Sequence, residues 1–152
     1  MTIKDKELLL KDLCCRLPYN VKCNINDNKP YTLCSINYSL VGFKEQKNGF
    51  NMEVYISEVK PYLFPLSSMT KEQKHELLSL TKYESRCEES CGFDSCGHYI
   101  DIVGEYEYED NKESIILYPN SIGIDWCNKN NFDYRGLIPK GLAIDATNLN
   151  IY

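Results

Sequence analysis

Leu9 or Leu10, Leu13, Cys14 and Leu17 recur at three- and four-residue spacing between Lys6, Glu7, Lys11 and Asp12. That spacing predicts an amphipathic helix over about residues 4–17, stopped by Pro18, with Cys14 on its apolar stripe as a small core residue. The period then changes to two. Val21, Cys23 and Ile25 alternate with Lys22, Asn24 and Asn26, residues 31–37 and 40–43 supply further strands, and Phe50, Met52, Val54 and Ile56 alternate with Asn51, Glu53, Tyr55 and Ser57. Turn chemistry separates these runs at residues 27–30 and at Gln46-Lys47-Asn48-Gly49, where Asn-Gly signals a hairpin. The pattern is that of a three- or four-stranded antiparallel meander, either curled into a partly closed barrel or left as an open sheet with the first helix on one face.

Residues 59–66, with Pro61 and Pro65 flanking Tyr62, Leu63 and Phe64, are predicted to be extended and to cross the sheet as a lid. Thr70 and Gln73 form a capping box, so a helix starts there. Leu77, Leu80, Tyr83, Cys87 and Cys91 keep to one face of it as far as about Ser90, and Gly92 is placed to end it. Residues 99–110 and 113–118 read as an acidic hairpin around Asp110-Asn111-Lys112. Ile100, Ile102, Tyr106 and Tyr108 lie on one face, and Asp101, Glu105, Glu107 and Glu109 largely on the other. A short last helix, capped by Asn120 or Ser121 and carrying Ile122 and Trp126 four apart, closes at Phe132. The turn after it lays Leu137, Ile138, Leu142 and Ile144 onto a core. The fold class is therefore α+β: N-terminal helix, small sheet, long middle helix, acidic hairpin, C-terminal helix and turn. A chain of 152 residues fits one such domain, with residues 86–118 as a candidate insertion.

Charge narrows the partners. Of 22 acidic residues, ten lie between positions 82 and 113 against three basic ones, and the whole chain carries a net −5. This balance disfavours non-specific duplex nucleic acid, which is held by neutralising phosphates. No apolar run approaches the roughly 18 residues of a membrane span. Residues 1–7 are charged and the leucines after them are interrupted by Lys11 and Asp12, unlike an export signal, so a cytoplasmic protein with reduced cysteines is expected.

Among residues that carry chemistry, Cys87-x3-Cys91-x4-Cys96-x-His98 holds four zinc-type ligands within twelve positions. Its spacing departs from the short two-cysteine turn that opens most zinc modules, and reduced cysteines with a surface histidine are the competing reading. A Cys/His nucleophile is limited by the presence of only two histidines, with His75 among Lys71, Lys74 and Glu76 on the wet face of its helix. Phosphate-loop, dinucleotide, zinc-protease and nucleophile-elbow signatures do not occur in the sequence. Arg135, with Tyr134 and Lys140, is a candidate clamp for a small anion such as a nucleotide, because a planar guanidinium pairs with carboxylate or phosphate through two bonds. The alternative is a structural tie to a carboxylate or carbonyls nearby. Tyr62 and Phe64, and Tyr106 and Tyr108, are candidate protein-contact surfaces, against internal packing for the first pair and a solvated sheet face for the second.

Three stretches, LLKDLCCRLPY at 9–19, VKPYLFPLSSMT at 59–70 and FDYRGLIPKGLA at 132–143, resemble a family of short proteins of Bacteroides-type gut bacteria and their phages and mobile elements. The resemblance does not reach residues 86–118. It brings no established activity or catalytic residue. It implies an intracellular accessory protein of phage or mobile-element origin, and packing for Cys127, which stands where that family would place Leu. The functional expectation is a non-catalytic binding protein with an unknown protein partner. Small-anion binding or a zinc-stabilised module are the alternatives.

Overall fold

The computed structural model describes residues 1–27, 29–37, 40–44, 51–81, 105–108, 111–114 and 121–152. In chain order the elements are α1 (Ile3–Arg16), β1 (Lys22–Asn24), β2 (Tyr31–Asn37), β3 (Leu40–Lys44), β4 (Asn51–Tyr55), β5 (Lys60–Leu63), α2 (Lys71–Thr81), β6 (Glu105–Tyr108), β7 (Asn111–Ser114), α3 (Ser121–Lys129) and β8 (Ile144–Asp145). They fall into two compact units. One is Met1–Ser68 with Cys127–Tyr152, and the other is Met69–Trp126.

The first unit holds a six-stranded sheet in the order β4-β3-β2-β1-β5-β8. The sheet is open, with β4 and β8 at its two edges, so the barrel alternative does not apply. It is also mixed rather than a pure meander: β1 to β4 are antiparallel neighbours, whereas β5 pairs parallel to β8. The expected runs locate β1 to β4; β4 alternates as expected, with Met52 and Val54 half-buried between exposed neighbours, whereas β3 buries Val41, Gly42 and Phe43 in succession. Val21 and Cys23, Tyr31 and Leu33, and Val41 and Phe43 all enter one core, together with Leu9 and Leu13 of α1, Leu63, Leu137 and Leu142.

Residues 60–63 are not a lid. They form β5, an interior strand paired with β1 through Cys23–Pro61 and with β8 through Tyr62–Ile144. The proline is tolerated for a directional reason. The Leu63 carbonyl accepts from Ala146 N–H at 2.8 Å, so the residue two before it, Pro61, also turns its nitrogen toward the β8 side. Pairing with β8 begins only at Tyr62, and no partner requires the missing N–H.

The next rung between β1 and β5 is completed by a side chain. The Tyr152 hydroxyl accepts from Lys22 N–H at 3.1 Å and donates to the Tyr62 carbonyl at 2.8 Å, while its ring meets Phe64 at 5.8 Å. Tyr152 as a residue is 48% exposed, but its hydroxyl is engaged on both sides. Burial pushes this phenol's pKa up. Tyr152→Phe is expected to lower the unfolding free energy by about 1–2 kcal/mol, the net worth of two hydrogen bonds. Urea denaturation followed by circular dichroism measures this, and an unchanged midpoint would mean that the rung contributes nothing.

α1 starts at a capping box in which Asp5 N–H donates to the Thr2 hydroxyl oxygen and the Asp5 carboxylate accepts from Thr2 N–H. Its buried face is Leu9, Asp12, Leu13 and Arg16. Cys14 is exposed, contrary to the apolar-stripe expectation. The physical reason is that Asp12 and Arg16 neutralise one another and turn inward beside Leu9 and Leu13, so the buried face is rotated away from Cys14.

In the second unit, the Thr70–Gln73 box opens α2 as expected, with Thr70 N–H donating to Gln73 Oε1 at 2.9 Å and Gln73 N–H donating to Thr70 Oγ1 at 3.2 Å. Leu77 is buried, but Leu80 is 40% exposed and leaves the expected stripe. The β6–β7 hairpin pairs Tyr108 with Asn111 and Glu107 with Lys112, so Asn111 and Lys112 belong to a strand rather than to the turn. In α3, whose residues are shared between the two units, Trp126 is buried whereas Ile122 is 55% exposed. The Asn-Gly turn, Asn120, Gly92 and the helical extension to Ser90 lie outside the described residues.

Candidate functional site

The site forms where the C-terminal half of α1 meets the turn after α3, all within the first unit. Asp12 and Arg16 lie four apart on α1, the spacing that brings side chains together on one helix face. The Arg16 Nε donates to Asp12 Oδ2 at 2.7 Å and its Nη2 to Asp12 Oδ1 at 3.2 Å, with both side chains fully buried. Arg16 also donates to the Phe132 carbonyl at 2.7 Å and the Cys127 carbonyl at 3.5 Å. The Cys127 carbonyl also accepts from Phe132 N–H and the Phe132 carbonyl from Tyr134 N–H, so Arg16 adds a second donor to each and ties α1 to the turn that runs from Cys127 to Phe132.

The turn that follows is held from two sides. Phe64 N–H donates to the Asn131 carbonyl at 2.9 Å and the Phe64 carbonyl accepts from Asp133 N–H at 2.8 Å, extending β5 past Phe132. The Asp133 carboxylate then accepts from Leu137 N–H at 2.8 Å and Ile138 N–H at 2.7 Å. Gly136, at φ +68°, supplies the left-handed residue this tight return needs. Tyr134 and Arg135 are thereby presented on a closed loop whose two ends are fixed.

Both guanidiniums approach the Tyr134 ring, with Arg135 Cζ at 4.7 Å and Arg16 Cζ at 5.6 Å from its centroid, within cation–π reach. Burial pushes the Tyr134 phenol's pKa up, and its hydroxyl is buried without a hydrogen-bond partner. Arg135 differs from Arg16. Its Nε lies 3.3 Å from Asp12 Oδ1, but the N–H is not aligned for a hydrogen bond. Its Nη2 donates to the Cys15 sulfur at 3.5 Å, a weak acceptor. Among the described residues no oxygen accepts a hydrogen bond from Arg135, although its side chain is only 15% exposed. Among the described residues Asp12 is the one carboxylate within 4 Å of either guanidinium, and Arg16 already occupies both of its oxygens.

The structure brings Arg135 and Tyr134 together, and among the described residues neither makes a hydrogen bond or ion pair with Lys140. Lys140 is exposed and lies toward Asp5, whose carboxyl is held below its usual pKa first by hydrogen bonds from Thr2 and then, more weakly, by Lys140. Asp5 is seven residues from Asp12, about 10 Å along the helix. Tyr62 is buried with its hydroxyl accepting from Asn24 Nδ2 at 3.1 Å, and Phe64 packs on Phe132 at 6.1 Å, so this pair belongs to internal packing. Tyr106 and Tyr108 stand in β6. Cys87, Cys91, Cys96 and His98 lie outside the described residues, and among those described no group of three or more metal-ligating side chains gathers. Cys127 is buried and its thiol is pushed up to about 11 by burial, while Cys23 is pushed up by burial as well. No described helix is long and apolar enough to cross a membrane.

The sequence pattern pointed at Arg135 but passed over Asp12, Arg16 and Cys15. The available signal was the four-residue spacing of opposite charges beside Leu9 and Leu13. No protein-family model, curated protein or solved structure matches this chain.

Proposed function

We propose that this chain is a non-catalytic binding protein that takes a small carboxylate- or phosphate-bearing anion at Arg135. The observation that supports this is the unmet demand of one guanidinium: its side chain is only 15% exposed, it is stacked on Tyr134, and among the described residues it is served by a sulfur and a misaligned carboxylate oxygen alone. A guanidinium offers five N–H donors in a planar fork, and an oxyanion at its exposed edge would engage two of them. Arg16 supplies the structural tie that the sequence also allowed for Arg135, which leaves Arg135 with donors to offer. The resemblance of the three terminal and central stretches adds an intracellular accessory role, encoded by a phage or mobile element, to this proposal.

Thermal unfolding in phosphate against chloride at matched ionic strength tests it. Saturation to a hundredfold over Kd would stabilise the protein by about 2.7 kcal/mol. The gain should vanish in Arg135→Ala and persist in Lys140→Ala, and its persistence in Arg135→Ala would sink the reading. A protein partner is the second reading, favoured by β4: it is a sheet edge with Tyr55 62% exposed, and among the described residues no strand pairs with its outer side. Such an edge can accept an added strand. Absence of any phosphate effect together with a stoichiometric strand-adding partner would favour it.

A further inference from the structure

We infer that Cys15 is a modification site for a small anionic disulfide, and that its modification closes the Arg135 site; this rests on the anion reading above. Three thiols among the described residues reach solvent. Cys14 and Cys34 are exposed and Cys15 is half-exposed, whereas Cys23 and Cys127 are buried. Only the Cys15 sulfur takes a hydrogen bond from a cation, at 3.5 Å from Arg135 Nη2. The Cys34 thiol has no hydrogen bond or ion pair among the described residues and serves as an internal reference. Independently of the cysteine, no oxygen among the described residues accepts a hydrogen bond from the Arg135 guanidinium, so a carboxylate arriving with the reagent meets the exposed edge of that cation beside the sulfur.

The step is thiol–disulfide exchange with a tripeptide disulfide such as glutathione disulfide. Cys15 loses its thiol proton to solvent, and Sγ attacks one sulfur of the reagent. The reagent's S–S bond breaks as the new S–S bond forms, and the departing thiolate takes up a proton. One disulfide is consumed and one formed, so no further oxidant is needed. The reagent half left on Cys15 carries carboxylates within reach of Arg135, and a free anion is thereby excluded. Cys14 next door is a poorer site, because burial and its neighbour Cys15 push its pKa up.

The test compares glutathione disulfide with cystamine, a cationic disulfide, on the reduced full chain, with occupancy of each cysteine read by peptide mapping after acid quench. Each rate is taken relative to Cys34 in the same molecule. Because both reagents meet the same Cys15, its degree of ionisation cancels and the charge effect remains. The relative rate at Cys15 is expected to favour the anionic reagent by roughly tenfold, as charge steering does at close range, and to shrink as salt is added. In Arg135→Gln the preference should fall to near one. A preference near one in the unaltered chain, or one unmoved by both salt and Arg135→Gln, overturns the proposal. Glutathionylated protein should lose its stabilisation by phosphate, and retention of that stabilisation overturns the closure of the site. Cys15→Ser separates the two ideas: a phosphate effect that survives there upholds the anion site whatever the thiol does, and its absence in both chains removes the anion site itself.

Discussion

Asp12→Asn is expected to lower the unfolding free energy by about 3–5 kcal/mol, the usual cost of removing one partner from a buried ion pair. The substitution is nearly isosteric, so packing is preserved and the effect is electrostatic. It leaves Arg16 fully buried with its Nε and one Nη2 bond deprived of a charged acceptor, and it leaves two guanidiniums around one aromatic ring without a carboxylate between them. The uncompensated charge, rather than the lost bonds, dominates the cost. Arg16→Met in the Asp12→Asn background should therefore recover part of the loss, because a buried cation is replaced by an apolar chain of similar length, although the Phe132 and Cys127 carbonyls each then keep only a backbone donor. Equilibrium urea unfolding of the single and double variants measures both terms. A single-variant loss below about 1 kcal/mol would show that this pair contributes no more than one on the surface.

The second large effect is expected at Asp133. Its two carboxylate oxygens each accept one backbone N–H, from Leu137 and Ile138, and Leu137 is fully buried. Asp133→Ala strands both donors, at about 1–3 kcal/mol for each unsatisfied group, so a loss of roughly 2–4 kcal/mol is expected after the exposed part of Ile138 is allowed for. The same variant releases one end of the loop that presents Tyr134 and Arg135, and stabilisation by phosphate should fall with it. Asp133→Asn keeps one acceptor oxygen and should lie between Asp133→Ala and the unaltered chain. Denaturation and phosphate titration on the same samples check both consequences. If Asp133→Ala unfolds at the unaltered midpoint, the turn is held by Gly136 and the Phe64 bonds instead.

These two carboxylates show how unevenly the site was legible. Arg135 stood out because it sits in a turn rich in glycine and proline beside an aromatic residue. Asp133 was visible beside it, but its role depends on a chain reversal that brings the N–H groups of Leu137 and Ile138 back to it. Asp12 and Arg16 were legible as a four-residue pair, yet nothing in a linear pattern distinguishes a pair facing solvent from one facing the core. Their burial is decided by the Phe132 and Cys127 carbonyls, more than a hundred residues away, which offer Arg16 acceptors that water would otherwise supply. Cys14 moved out of the core for the same reason, since a helix has only one inward face and the charged pair took part of it.

By itself the sequence determined what depends on near neighbours. Those are the limits of α1, the strand runs and turns that became β1 to β4, the Thr70–Gln73 box that opened α2, and the packing of Leu137 and Leu142. Local sterics and the burial of one face fix such features within a few residues. The tertiary structure alone decided that residues 60–63 enter the sheet, that β8 runs parallel beside them, that the Tyr152 hydroxyl bridges β1 and β5, and that Arg16 is satisfied while Arg135 is not. Each of these depends on a hydrogen-bond partner distant in the chain, and donors and acceptors of one backbone look alike until folding brings a particular pair together.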